Sequence, residues 1–329
     1  MEQARKIEQD CDTFVRVFMA SSLPQLRYMF CRAGLTAQEV NRRVASCQAM
    51  VLDSLWHWAQ QDRNVNLLNI GFFRQSPPHV RAHIAMQRFK QPHPQPPMTI
   101  LLDQIRLLCH RDQEVLEFVR DLNFQMSYSR NCLGHLTHIR SNSFSCAALC
   151  RVQGLCTIRG QRAVNIVTWG GSVPLPRHLK EEYINYASRY IWHPLVGLQV
   201  LLNGERSPSG QMVQVVPANA PFMLLCSTYT FNQHHDGRVV EVYPCSYCRA
   251  MFPSTRSPKG YVHYTLYKSS ETGESDSYNR FSKGNCAECA AFSAMFHVTK
   301  QTCRIVGADP RVTVQRLGVG QLSVPLTLC

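Results

Sequence analysis

Two short motifs carry the most specific chemistry in this sequence: Cys245-Ser246-Tyr247-Cys248 and Cys286-Ala287-Glu288-Cys289. A Cys-x-x-Cys knuckle sets two sulfurs on one side of a tight turn. Two knuckles can close a tetrahedron around Zn²⁺, with Zn–S near ~2.3 Å. The 37 residues between them exceed the usual ~15–20 of such pairs, so a strand and a loop must fill the gap. A second set is Cys146, Cys150 and Cys156, with His135 and His138 just upstream. On a helix, Cys146 and Cys150 would share a face at i and i+4, and an imidazole such as His138 would complete a site. Cys226 is placed to join either set. These nine positions, Cys245, Cys248, Cys286, Cys289, Cys146, Cys150, Cys156, Cys226 and His138, are the expected metal ligands, and zinc in a structural role is the expected metal. Against this stands a plainer reading, in which Cys286 and Cys289 are buried thiols of a small-residue helix over Ala290–Met295.

The same residues admit an enzymatic reading. Pro244-Cys245-x-x-Cys248 resembles half of a zinc deaminase signature, and Cys286-Ala287-Glu288 is similar to its ligand-x-Glu half. The two halves stand in the reverse order. No Gly-x-Ser-x-Gly elbow and no Walker-type loop occurs in the chain.

The chain that must position these groups has 329 residues, 45% hydrophobic and 17% charged. Two domains, or one large one, fit that length. No apolar run approaches the ~18–20 residues that cross a bilayer, and the first residues lack the apolar stretch of a secretory signal. The expectation is a protein that is neither secreted nor membrane-spanning, in a reducing compartment where clustered thiols mean metal more often than disulfide. The net charge of +13 is spread along the chain with no run of five like charges. It fits a solvated basic surface with weak attraction for polyanions, and a zinc-stabilised nucleic-acid-binding protein is the alternative function.

Residues 1–75 read as helices. Thr36-Ala37-Gln38-Glu39 has the spacing of a capping box. Behind it Val40, Val44, Cys47, Val51, Leu55 and Trp58 form one apolar stripe, on which Cys47 is core. Ile7, Cys11, Phe14, Val15 and Phe18 mark an earlier helix. The prolines of 91–97 form an extended linker, and a helical stretch runs from about Leu101 to Leu122. Beyond Cys146 the texture is of strands and turns: Leu198–Leu202, Gln211–Val216, Phe222–Ser227, Arg238–Tyr243 and Tyr261–Tyr267, then a polar loop over 268–285. The expected fold is α+β, a helical N-terminal region followed by a cysteine-rich, mostly antiparallel β region with zinc-type knuckles. The expected division is a helical docking region over 1–90, a Pro-rich linker over 91–98, and over 99–329 a helical segment plus a zinc-stabilised α+β domain.

Several pieces between about 144 and 252 stand in a familiar order. They are the cysteine-rich Cys146–Gly160, Leu175-Pro176-Arg177 leading to Arg189, Leu198-Gln199-Val200, Val215-Val216-Pro217-Ala218, Cys226 ahead of Val239-Val240, and Cys245-Ser246-Tyr247-Cys248. In that order they resemble the adenoviral early-region-four thirty-four-kilodalton protein family. The resemblance covers about a third of the chain. It implies a non-enzymatic, zinc-stabilised viral early adaptor of the host nucleus and cytoplasm. Such an adaptor recruits elongins and a cullin into a ubiquitin ligase, works with an early-region-one-B-type partner to degrade host proteins, and favours viral mRNA export. The family's elongin contact is a helix with a small residue, then Leu-x-x-x-Cys-x-x-x-aliphatic. The nearest match here is Lys6-Ile7-x-x-x-Cys11-x-x-x-Val15, a spacing that is equally ordinary helix core. The apolar, Gly- and Pro-punctuated Leu317–Cys329 departs from the arginine-rich helix with which the family often ends.

Overall fold

The computed structural model describes residues 2–66, 69–75, 94–109, 111–130, 136–138, 142–156, 164–202, 214–217, 223–231, 238–242, 248 and 284–306. Cys245, His135, the expected strand Tyr261–Tyr267, most of the expected loop over 268–285 and the chain beyond 306 lie outside them. The class is α+β, with a helical N-terminal region. The chain folds as two compact units. One is Met1–Ala147 with Val173–Lys180 and Thr230–Val240; the other is Ala148–Ser172 with Glu181–Tyr229 and Glu241–Cys329. Among the described residues no helix is long and apolar enough to cross a membrane.

The first unit is built on helices α1 (Glu2–Val17), α2 (Leu23–Arg32), α3 (Ala37–Gln60), α4 (Gly71–Gln75), α5 (Pro97–Leu108) and α6 (Asp112–Ser127). A π turn, Phe18–Ser22, joins α1 to α2. Pro24, which has no N–H to give to the carbonyl four residues back, stands just beyond that widened turn. Helix α2 ends in a Schellman motif: Leu35 N–H reaches Phe30 O and Gly34 N–H reaches Cys31 O, with Gly34 at φ 79°. A side chain there would meet no neighbour, so the conformation itself calls for glycine.

Thr36 caps α3, its Oγ1 accepting from Glu39 N–H at 3.3 Å. Only this half of the expected capping box forms. The Glu39 carboxylate turns instead to Arg42 at 2.8 Å and Arg43 at 3.0 Å, and those bonds hold its pKa below the ordinary carboxylate value. The whole α3 stripe is buried, Cys47 included. The expected single helix from Leu101 to Leu122 is two helices, broken at the extended Cys109. Asp112 and Glu114 in the first turn of α6 meet the positive end of its dipole.

Two buried carboxylates tie loops to α1. Glu8 accepts from Asn66 N–H at 2.7 Å and Asn69 Nδ2 at 3.0 Å. Asp10 accepts from Lys6 Nζ and from Ser143 N–H at 3.0 Å. A short antiparallel pair, β1 (Tyr128–Arg130) and β2 (Leu136–His138), follows α6.

The second unit is organised around β3 (Ala148–Cys156) and β4 (Val164–Gly171), antiparallel with Leu149 opposite Gly171 and Cys156 opposite Val164. The sheet order is β4-β3-β6-β7, with β6 Met223–Phe231 and β7 Val239–Val242. Helices α7 (Arg177–Tyr190) and α8 (Pro194–Leu201) lie between β4 and β5 (Gln214–Pro217) in sequence. The last described elements are α9 (Ala287–Val298) and β8 (Cys303–Val306), the latter pairing with β5.

The expected strand Leu198–Leu202 belongs mostly to α8, and β5 therefore pairs with β8 rather than returning against it. An eight-residue apolar run has no periodicity to separate buried strand from buried helix. The deciding signals are local: Pro194 in the first turn, and His193 as the cap, its ring accepting from Leu195 N–H at 3.2 Å. Helix α9 lies against β3 and β4, and glycine permits the approach. A Cβ on Gly170 would stand 2.3 Å from Ala291 N and 2.5 Å from Ala287 O. Thr168 Oγ1 donates to Ala291 O at 2.9 Å.

Candidate metal centre

Side chains alternate along a strand, and the face of the sheet beneath α9 can be read from its neighbours. Gly154 on β3 lies under Met295 of α9 and beside Leu224 of β6. Cys150, four residues before Gly154, and Cys226 and Thr228, two and four after Leu224, therefore share the α9 face. Their bonds agree. Cys150 Sγ and Cys226 Sγ are 3.4 Å apart, and Thr228 Oγ1 donates to Glu288 Oε1 in the first turn of α9 at 3.0 Å.

Three ligand atoms converge at this end of the helix. The sulfurs of Cys248 and Cys286 and a carboxylate oxygen of Glu288 all lie within 4.8 Å of one another, the one such group of three or more among the described residues. Cys248 is 1% exposed, Glu288 is 3% exposed and Cys286 is half-buried. Cys286 is the N-cap of α9. The start of a helix concentrates free N–H groups and positive dipole, which favour a thiolate and a carboxylate there. Next to Cys286 in sequence, Asn285 Oδ1 is a buried acceptor with no hydrogen-bond partner among the described residues.

Buried thiols that are close together resist ionisation. Cys150 is pushed well above the ordinary thiol range, first by burial, then by the bond to and charge of Cys226, then by Glu288, with a bond from Thr228 in opposition. Holding thiolates and a carboxylate ionised together about one point in low dielectric is costly without a cation. A soft divalent cation of the zinc class answers that cost, since it binds thiolate and carboxylate at ~2.0–2.3 Å. The donor set fits such an ion.

The expected ligands are thus redistributed. Cys248 of the first knuckle and Cys286 of the second come together. Cys245 lies outside the described residues. Cys289 is buried on α9, apart from the converging group. The expected helical face shared by Cys146 and Cys150 does not exist, because Cys150 is on strand β3. Cys146 belongs to the helical unit, where Asn123 holds its backbone by bonds of 2.6 and 3.2 Å. Cys156 is six residues along β3 from Cys150, about 20 Å at strand rise, so those two do not bind one ion. His138 is on β2 of the helical unit.

Sequence reasoning considered Glu288 only as a catalytic mimic and passed over Thr228. The usable signal was a carboxylate two residues after a helix-capping cysteine.

Ile7, Cys11 and Val15, the expected partner face of α1, are 1%, 0% and 0% exposed. They form core, as their spacing equally allowed, and cannot meet a partner without opening the helical unit. Comparison of the chain with family models, with curated proteins and with solved structures finds no match.

Proposed function

We propose that this chain is a non-catalytic interaction protein whose α+β unit is held together by a structural metal ion, zinc by ligand chemistry, bound where Cys248, Cys286 and Glu288 converge. The observation that carries the reading is the convergence of those groups, Cys248 and Glu288 buried and Cys286 half-buried, at the start of α9. A catalytic ion keeps an open coordination position facing substrate, whereas a structural ion is closed off by protein. Donors as buried as Cys248 and Glu288 suit the second kind.

The order of motifs from Cys146 to Cys248, which resembles the early-region-four thirty-four-kilodalton family, supports an adaptor that brings host elongin and cullin components to a degradation target. Because the Ile7–Val15 face is core, the docking surface for such partners lies elsewhere on the chain. Affinity purification of the folded full-length protein from host cells tests this. Recovery of elongins or a cullin is the expected result, and repeated absence of both rejects the ligase role.

A second reading draws on the same groups. Cys248, Cys286 and Glu288 converge as a metal-dependent deaminase would require of two ligands and a general acid-base. Glu288→Gln separates the two readings. A structural role leaves no turnover to lose, whereas a deaminase loses nucleobase deamination while keeping its fold.

A further inference from the structure

We infer that the Cys150–Cys226 pair belongs to the same metal centre, so that one zinc-class ion is held by four sulfurs, those of Cys150, Cys226, Cys248 and Cys286, with Glu288 outside the ligand shell. The inference rests on the metal reading above.

The first ground is distance. Sulfurs ~2.3 Å from a tetrahedral ion are about 3.8 Å apart along each edge. Cys150 and Cys226, on neighbouring strands, already stand at 3.4 Å. Cys248 and Cys286 form the other close pair, within 4.8 Å.

The second ground is continuity. Thr228, two residues from Cys226 on the same face of β6, donates to Glu288 at 3.0 Å, and Glu288 in turn converges with Cys248 and Cys286. The two thiol pairs thus lie on either side of one hydroxyl–carboxylate contact. A change of χ1 rotamer swings a cysteine sulfur by roughly 3 Å, so the pairs need not already stand at ligand spacing in the metal-free arrangement.

The third ground is the role this leaves for Glu288. A zinc site with four protein sulfurs needs no carboxylate ligand, but outer-shell groups hold its ligands in place. Held by Thr228, Glu288 is placed for that. The same ligand set joins β3, β6 and the start of α9, which the sequence separates by more than 130 residues.

Zinc-edge X-ray absorption on the purified, zinc-loaded full-length protein counts the ligands directly. The expected result is four sulfurs near ~2.3 Å. Cys150→Ser and Cys226→Ser are each expected to remove one sulfur and to weaken zinc retention against a competing chelator by tenfold or more. Glu288→Gln is expected to keep all four sulfurs and to change retention less. A wild-type shell of two sulfurs completed by oxygen or nitrogen overturns the inference while leaving the metal reading intact, and it needs no variant to fold. Absence of bound metal overturns both.

Discussion

Replacing Gly170 by alanine tests how α9 is seated on the sheet. The new Cβ would stand 2.3 Å from Ala291 N, 2.5 Å from Ala287 O and 2.8 Å from Ala290 C. All three obstacles are backbone atoms of the helix that begins at the proposed metal centre, so no side chain can turn aside. Restoring ordinary contact requires α9 to retreat by about 1 Å, which strains a well-packed interface by about 3 kcal/mol or more. The usual gain of ~0.5–1 kcal/mol on replacing a strand glycine is overwhelmed. Gly154→Ala is the control, because its obstacles at 3.0 and 3.1 Å are the side-chain ends of Met295 and Leu224. Such ends give way, and the expected loss there is below ~1.5 kcal/mol. Urea unfolding of the metal-loaded protein, followed by circular dichroism, reads both values. Chelator competition on Gly170→Ala is expected to show weaker metal retention, since the helix that moves carries Cys286 and Glu288. Equal stability of Gly170→Ala and wild type would refute the close seating of α9 on β4.

Other expectations concern groups away from the centre. His193 is fully buried, with Nε2 bonded to Gln301 O at 3.0 Å and its own backbone N–H donating to Ser293 Oγ at 2.8 Å. Burial, then the nearby His297, lower its pKa to about 4, against the raising effect of the Gln301 carbonyl. The unfolded chain protonates this ring below ~6.5 and the folded one only near 4. The contribution is therefore complete above pH ~6.5 and is lost as pH falls towards ~4, about 3 kcal/mol at most. Urea unfolding at pH 7, 5 and 4 should show that decline for wild type and a flatter profile for His193→Gln; parallel profiles would contradict it. Ile7→Ala empties a fully buried site and should cost ~2–5 kcal/mol. Partner capture by this variant should fall only in step with its folded fraction. Loss of capture with stability intact would place Ile7 at an interface.

Where local signals suffice, the sequence is a good guide to the helical unit. Thr36 before an apolar stripe marks α3 in both start and facing, because a cap and a 3.6-residue period are both local. The break at Cys109 is not marked by proline or glycine, so periodicity alone runs through it. In the α+β unit the apolar run after Pro194 is too short for periodicity to speak. Its helical form follows from Pro194 in the first turn and from the cap at His193, a residue type that does not announce a cap in the sequence. The centre was half legible. Cys-x-x-Cys spacing singled out Cys248 and Cys286 as one member of each knuckle, but their convergence across 37 intervening residues is not a local geometry. Cys150 and Cys226 were named as candidates, but that β3 and β6 bring them, with Thr228, to the α9 face depends on register and on the alternation of strand faces, which no single segment displays. The helical face expected for Cys146 and Cys150 fails for the same reason, since an i, i+4 pairing exists only on a helix and Cys150 is on a strand.

The central claim is that converging thiolates hold a metal ion and that the ion stabilises the fold. Elemental analysis of the purified full-length protein, paired with thermal unfolding before and after chelation, tests it most directly. The expected result is bound zinc at a fixed ratio to protein and a marked fall in melting temperature once it is stripped. Protein that carries no metal, and melts just as sharply at the same temperature with chelator present, would contradict the claim.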